Sequence, residues 1–175
     1  MRSIRQFALA LLPLPAFLAV APPTGSDIHE DVVKTIAEFK KKDSGMEKFF
    51  ASAAGYAVFP TVGKGAIGIG GARGTGELLV GGKAIGKVTL TQVTVGFQLG
   101  GQSYSEVIFF EKQSPLHGFK NGDFAFAAEA SAVALTSGAS ANAAYRNGVA
   151  VFTMAKGGLM YEASIGGQKF DFKAY

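Results

Sequence analysis

From Gly63 to Gly76 the chain reads "GKGAIGIGGARGTG", with glycine at seven of 14 positions. Around Ala66–Gly70 the pattern alternates. Ile67 and Ile69 fall on one face, and Ala66, Gly68 and Gly70 on the other, which is the period of a strand. A strand with glycine at every second position presents a bare backbone stripe. Another element then packs closely on it: a helix, a sharply bent sheet or, as the less favoured reading, a ligand.

The same stretch holds Gly63-Lys64-Gly65-Ala66-Ile67-Gly68, a literal G-x-G-x-x-G. A dinucleotide site needs a helix after the turn, with its N-terminus facing the pyrophosphate. It also needs an acidic residue about 20 positions on, and Lys83 to Leu90 contains none. The nearby "GELLVGGK" fails as a P-loop, because its lysine comes one residue late and Ala84 replaces the Ser or Thr that would bind magnesium. No cofactor is expected.

The surrounding chain divides into two regimes. In Asp27–Asp43, Ile28, Val32, Ile36 and Phe39 recur at helical spacing. Asp27 and Glu30 suit a capping box, and Lys40, Lys41 and Lys42 suit the negative C-terminal end. Met46 to Ala54 predicts a second, short helix. From Tyr56 onward the pattern is strands and glycine turns. Val93, Val95, Phe97 and Leu99 oppose Gln92, Thr94, Gly96 and Gln98, and "YSEVIFFE" is apolar on both faces, as in a central strand. Turns are expected at Gly81-Gly82, Gly100-Gly101, Asn121-Gly122, Asn147-Gly148, Gly157-Gly158 and Gly166-Gly167. The last glycine pairs suggest a three-stranded meander of "VAVFTMAK", "LMYEASI" and "QKFDFK". "KQSPLHGFKNG" reads as a short helix or loop. Residues 123–145 are alanine-rich but alternate with period 2, and are read as strand. The fold class is therefore α+β, a predominantly antiparallel β-sheet, sandwich or barrel-like, with N-terminal helices.

Met1–Ser26 has the layout of an export signal: Arg2 and Arg5, an apolar run from Phe7 to Ala21 broken by Pro13 and Pro15, and Ala19-Val20-Ala21 as a cleavage site followed by Pro22. Removal of this segment is expected, with an uncleaved anchor as the alternative, and residues 27–175 form one domain. The expected location is the periplasm or cell envelope. There is no cysteine, so no disulfide or thiolate chemistry enters. Without Arg2 and Arg5 the balance is 15 basic to 13 acidic residues, a net +2, which permits contact with anionic lipid without demanding it.

Catalytic constellations are poor. His29 and His117 are the only histidines, and neither has metal-ligand spacing. Glu106 and Glu111 flank one strand but point to opposite faces, so they form no acid/base pair. Glu129, in an alanine-rich stretch, reads as a solvated edge residue. Basic residues interleaved with exposed aromatics, the mark of nucleic-acid binding, are absent.

"YAVFP-V-K-G-GIGG", "GGK-IG", "GFQLGGQSYSEVIFF" and "GVAVFTMAKGGLMYEASIGGQKF" occur in that order. Together they resemble the SYLF family of lipid-binding domains, in its stand-alone bacterial form, from about Asp27 to Phe172. The resemblance implies a compact α+β domain that binds rather than catalyses. Eukaryotic relatives are associated with phosphoinositide membranes and, in one branch, with actin filaments, and an N-terminal amphipathic helix is implicated in lipid contact. The matching helix here also carries Glu30, Asp31 and Glu38. The expected function is a non-enzymatic module for anionic membrane lipid, with Lys34, Lys40, Lys41 and Lys42 on the helix and Lys64, Arg73, Lys83 and Lys87 in glycine turns. A structural or protein-interaction role, actin-binding-like or self-associating, is the alternative. No nucleic acid and no metal are expected.

Overall fold

The computed structural model describes residues 25–67, 69–94, 102–126, 131–156 and 163–175. The export-signal reading of Met1–Ser26 falls outside these residues except at Gly25 and Ser26, which already belong to the first helix. That helix, α1, runs Gly25–Lys42, and α2 spans Met46–Ser52. Asp27 thus lies within the first turn of α1 rather than capping it. The apolar stripe read from the sequence is real: Ile28, Val32 and Phe39 are buried and Ile36 packs beside them. Asp43 stands just past the end of α1 and anchors the turn into α2. Its carboxylate accepts the Gly45 N–H at 3.0 Å and the Ser140 N–H at 2.7 Å.

Next come β1 (Gly55–Ile67), β2 (Ile69–Val80), β3 (Lys83–Thr94) and β4 (Gln102–Phe110), then α3 (Gln113–Lys120). The chain continues through β5 (Ser131–Ala134), β6 (Val149–Ala155), β7 (Ala163–Ser164) and β8 (Gln168–Ala174). The strand order is β7-β5-β6-β4-β1-β2-β3-β8. Every pairing is antiparallel except β5 with β6.

β7 and β8 stand at opposite ends of that order, yet only residues 165–167 separate them along the chain. Such a link spans at most about 14 Å, so the sheet must curl until its ends approach. Phe126 completes the closure: its N–H donates to the Gln168 carbonyl at 3.4 Å and its carbonyl accepts the Gly167 N–H at 3.2 Å. Ala125 bridges to Lys169. The barrel-like alternative is the one adopted.

The meander is not. β6 lies between β4 and β5, whereas β8 pairs with β3 at the other end of the sheet. Each placement follows from burial. β6 is apolar on both faces and needs an interior position. β8 alternates Phe170 and Phe172 with charged residues and suits an edge with one wet face. Residues 123–145 are also not one strand. Among the described residues of this stretch only Ser131–Ala134 form a strand, and Ala139–Asn142 is a single 3-10 turn entered through Gly138, whose φ of +80° breaks the extended run. Residues 127–130, with Glu129, lie outside the described residues.

Two apolar layers result. Ala57, Phe59, Leu78, Leu90, Ile108, Phe110, Val151 and Phe170 fill the barrel, and Leu116 and Phe119 of α3 plug one mouth. Phe119 sits between Phe110, at a ring distance of 4.8 Å, and Phe170, at 4.9 Å. On the outer face, Tyr56, Val58, Leu79, Val107, Phe109 and Phe152 are covered by α1 and α2. β4 is therefore buried on both faces, as its sequence predicts.

Candidate functional site

The structure sorts the eight candidate cations. Lys34 is exposed and pairs within α1 to Glu30 at 2.7 Å, a contact that holds its ammonium above its ordinary pKa. Lys40 is half-buried, 2.9 Å from Glu47 and over the Phe50 ring. Lys41 and Lys42 are exposed at the end of α1. Lys83 is exposed where β3 begins, after the Gly81-Gly82 turn. Arg73 and Lys87 are not in turns. They stand mid-strand on β2 and β3, because these strands run 12 residues each, straight through the glycines. Lys64 is likewise a strand residue, paired with Ala72 and Gln102. Its side chain lies outside the described residues.

Arg73 and Lys87 belong to one face. Ala72, Leu78, Val88, Leu90 and Phe170 point into the barrel, so the residues alternating with them on β2, β3 and β8 point out. Register aligns three outward rungs: Arg73–Thr91–Lys169, Thr75–Thr89–Asp171 and Glu77–Lys87–Lys173. Arg73, Lys87, Lys169 and Lys173 are all exposed. Sequence reasoning misses Lys169 and Lys173. The signal is present in "QKFDFK", where charges alternate with phenylalanines, but only the pairing of β8 with β3 shows which cations join them.

The third rung ends differently. Glu77 is only 1% exposed. His29 Nδ1 of α1 lies 2.7 Å from one of its oxygens, and the Tyr175 hydroxyl donates to the other. These contacts tie α1 and the chain end after β8 to β2. Burial first, then the neighbouring carboxylate, push the Tyr175 phenol up to about 12.

A second polar group lies inside the barrel, at the mouth away from α3. Gln168 of β8 donates from Nε2 to Glu106 at 3.0 Å and to the Tyr104 hydroxyl at 3.3 Å, both on β4. Its register partner Gln92 donates to the Gly166 carbonyl at 2.8 Å. All four are 3% exposed or less. The alternation of β3 thus holds with an unexpected polarity: Gln92 faces in and Val93 is 70% exposed. Residues 95–100 lie outside the described residues. Glu106 and Glu111 stand apart, one buried and one exposed.

No helix follows the G-x-G-x-x-G: β1 continues to Ile67 and β2 begins at Ile69. Gly68 lies outside the described residues. Farther along the same inward face of β2, Gly74 and Gly76 lie against β1 itself, where Val62 and the Val58 carbonyl leave no room for a Cβ. A bulge of β1 between Val58 and Thr61 causes this approach. The first helix packs on the opposite face, through Tyr56, Val58 and Leu79. What packs on the Ala66, Gly68 and Gly70 stripe lies outside the described residues; at Gly74 and Gly76 the close neighbour is β1.

Among the described residues, no three His, Asp or Glu side chains gather as metal ligands, and no helix is long and apolar enough to cross a membrane. His117 is an exposed residue of α3. The arrangement offers an exposed cationic sheet face and a separate pair of lysines at the end of α1. It can attract and hold an anion-bearing surface.

Residues 91–174 match a family model described as "Ysc84: Las17-binding protein actin regulator". No curated protein matches the chain.

Proposed function

Because residues 91–174 carry the Ysc84 (SYLF) domain, we propose that this protein is a non-enzymatic binding module that docks on an anionic membrane surface. The observation that carries the proposal is the fate of α1. Its apolar stripe, Ile28, Val32 and Phe39, is buried on the sheet, so the helix has no apolar face left to insert into lipid. What remains exposed is charge: Lys41, Lys42, Arg73, Lys83 and Lys87. Contact of this kind is peripheral and electrostatic. Each lysine at an anionic surface contributes about 1 kcal/mol, and salt weakens it. Export to the cell envelope, suggested by Met1–Ser26, would place the domain at such a surface. Flotation with vesicles tests this. The protein is expected to float with phosphatidylglycerol-containing vesicles at low salt, to dissociate at high salt, and to ignore phosphatidylcholine alone. Equal binding to both vesicles, unaffected by salt, would exclude the electrostatic reading.

A protein-interaction role is the second reading, and the description of the family as a Las17-binding actin regulator favours it. Co-sedimentation with filamentous actin, and light scattering of the protein alone, distinguish the two. Pelleting with filaments or concentration-dependent assembly, without vesicle binding, would favour this second reading.

A further inference from the structure

We infer that the membrane-contacting surface is the outer face of β2, β3 and β8, and not the lysine-rich end of α1. The inference rests on the anionic-membrane reading above and adds which surface does the binding.

Strands lie about 4.8 Å apart and a two-residue step advances about 6.7 Å. Register therefore spreads Arg73, Lys87, Lys169 and Lys173 over a field of roughly 10 by 13 Å. All four are exposed, and no ion pair among the described residues engages them. Asp171 is the one exposed carboxylate among the three rungs, since Glu77 is buried under His29 and Tyr175. Thr89 and Thr91 supply hydroxyl donors between the cations. At the α1 end the balance differs. Lys40 is already paired with Glu47, and Glu38 is exposed within one turn of Lys41 and Lys42.

The occupant is defined by what the face lacks. Within the three rungs no residue is aromatic, and Tyr175, beside Glu77, is a lone exposed ring at one end, so the face offers no row of stacking platforms for successive bases. A stable protein interface needs a desolvated apolar or aromatic centre, and the large exposed side chains here, Val93 and Tyr175, stand at opposite ends of the face, Val93 beyond the first rung and Tyr175 beside Glu77 of the third. A broad, hydroxyl-bearing, cationic sheet complements a plane of phosphates.

The test uses charge-matched variants of the full domain. Lys169→Gln/Lys173→Gln and Lys41→Gln/Lys42→Gln each remove two exposed charges, so net charge is the same in both. With phosphatidylglycerol vesicles, the sheet pair is expected to lose about tenfold or more in partition coefficient and the helix pair less than about threefold. Equal losses, or a larger loss in the helix pair, overturn the inference while leaving the membrane reading intact. Failure of the wild type to bind anionic vesicles overturns both and turns attention to an acidic protein partner. A second measurement does not depend on those variants. The chain has no tryptophan, and both Val93, on the sheet face, and Val33, on α1, are exposed, at 70% and 52%. Val93→Trp fluorescence is expected to shift to the blue on anionic vesicles and Val33→Trp fluorescence is not. The reverse pattern overturns the inference.

Discussion

His29 of α1 and Glu77 of β2 meet at 2.7 Å, the histidine side chain 54% exposed and the glutamate 2%. The contact therefore ties a surface helix to a carboxylate that has almost no access to water. Removing His29 takes a hydrogen-bond partner from a buried carboxyl group, which is more costly than losing a surface pair. His29→Ala is expected to lower stability by about 1–2 kcal/mol in urea unfolding. In a Glu77→Gln background the same change should cost less than about 0.5 kcal/mol. A full double-mutant cycle reads the difference. Additive effects would show that the contact contributes nothing.

Tyr175 shares that carboxylate, and its phenol is pushed up to about 12, by burial first and then by Glu77. An unfolded tyrosine titrates near 10. The folded state thus holds this proton more tightly than the unfolded chain does. The stability it contributes is complete below about pH 10 and is lost as pH rises towards about 12. Burial raises the Tyr56 and Tyr145 phenols too, so in an absorbance titration Tyr175→Phe should remove one equivalent from the late tyrosinate phase and Glu77→Gln should move one equivalent to lower pH. Burial, and then the neighbouring Glu106, push the Tyr104 phenol up as well.

Asp43 joins the end of α1 to the 3-10 turn through the Ser140 and Gly45 N–H groups. The Ser140 hydrogen bond holds its carboxyl below the usual range, against the opposing effect of burial. A depressed pKa contributes stability above the unfolded value, near 4, that is lost as pH falls through the folded one. Asp43→Asn is expected to lower the Tm at neutral pH, and the gap from wild type should narrow below about pH 4. A gap that stays constant into acid would show that the charge is irrelevant.

Two glycines of the same hairpin should respond oppositely to a methyl group. Gly76 faces the Val58 carbonyl, with the Phe59 ring 2.9 Å from where a Cβ would sit, whereas Gly63 has nothing within 4 Å. Gly76→Ala is expected to cost about 1–3 kcal/mol through overpacking. Gly63→Ala should stay within about 0.5 kcal/mol. Thermal melts of the two variants decide it, and similar Tm values would show that β1 moves aside at no cost.

How much of this is legible in sequence depends on the range of the interaction that decides it. The stripe of α1, the two-faced burial of β4 and the Asn147-Gly148 turn, with φ of 51° and 77°, are local patterns and read directly. The partner of β8 is not local. "QKFDFK" shows one wet face but not which strand lies beside it, and so the alignment of Lys169 and Lys173 with Arg73 and Lys87 is invisible in one dimension. Gln92 misleads for a related reason. A polar residue in an alternating strand reads as outward, and here the interior at that mouth is polar because Glu106 and Gln168 are there. Arg73 and Lys87 read as turn residues because glycine marks both turns and close strand contacts, and composition alone does not separate them.

The pairing of β8 with β3 also sets a timetable. A nascent chain leaving the ribosome can assemble the β1–β2–β3 hairpins early, because their partners are neighbours in sequence. The free edge of β3, Gly86 to Gln92, finds its partner only when residues 168–174 have been synthesised. Until then it is an open strand edge of the kind that invites mispairing. A holding chaperone, or a translocation pathway that keeps the chain extended, would have to shield that edge while almost the whole second half of the chain is made.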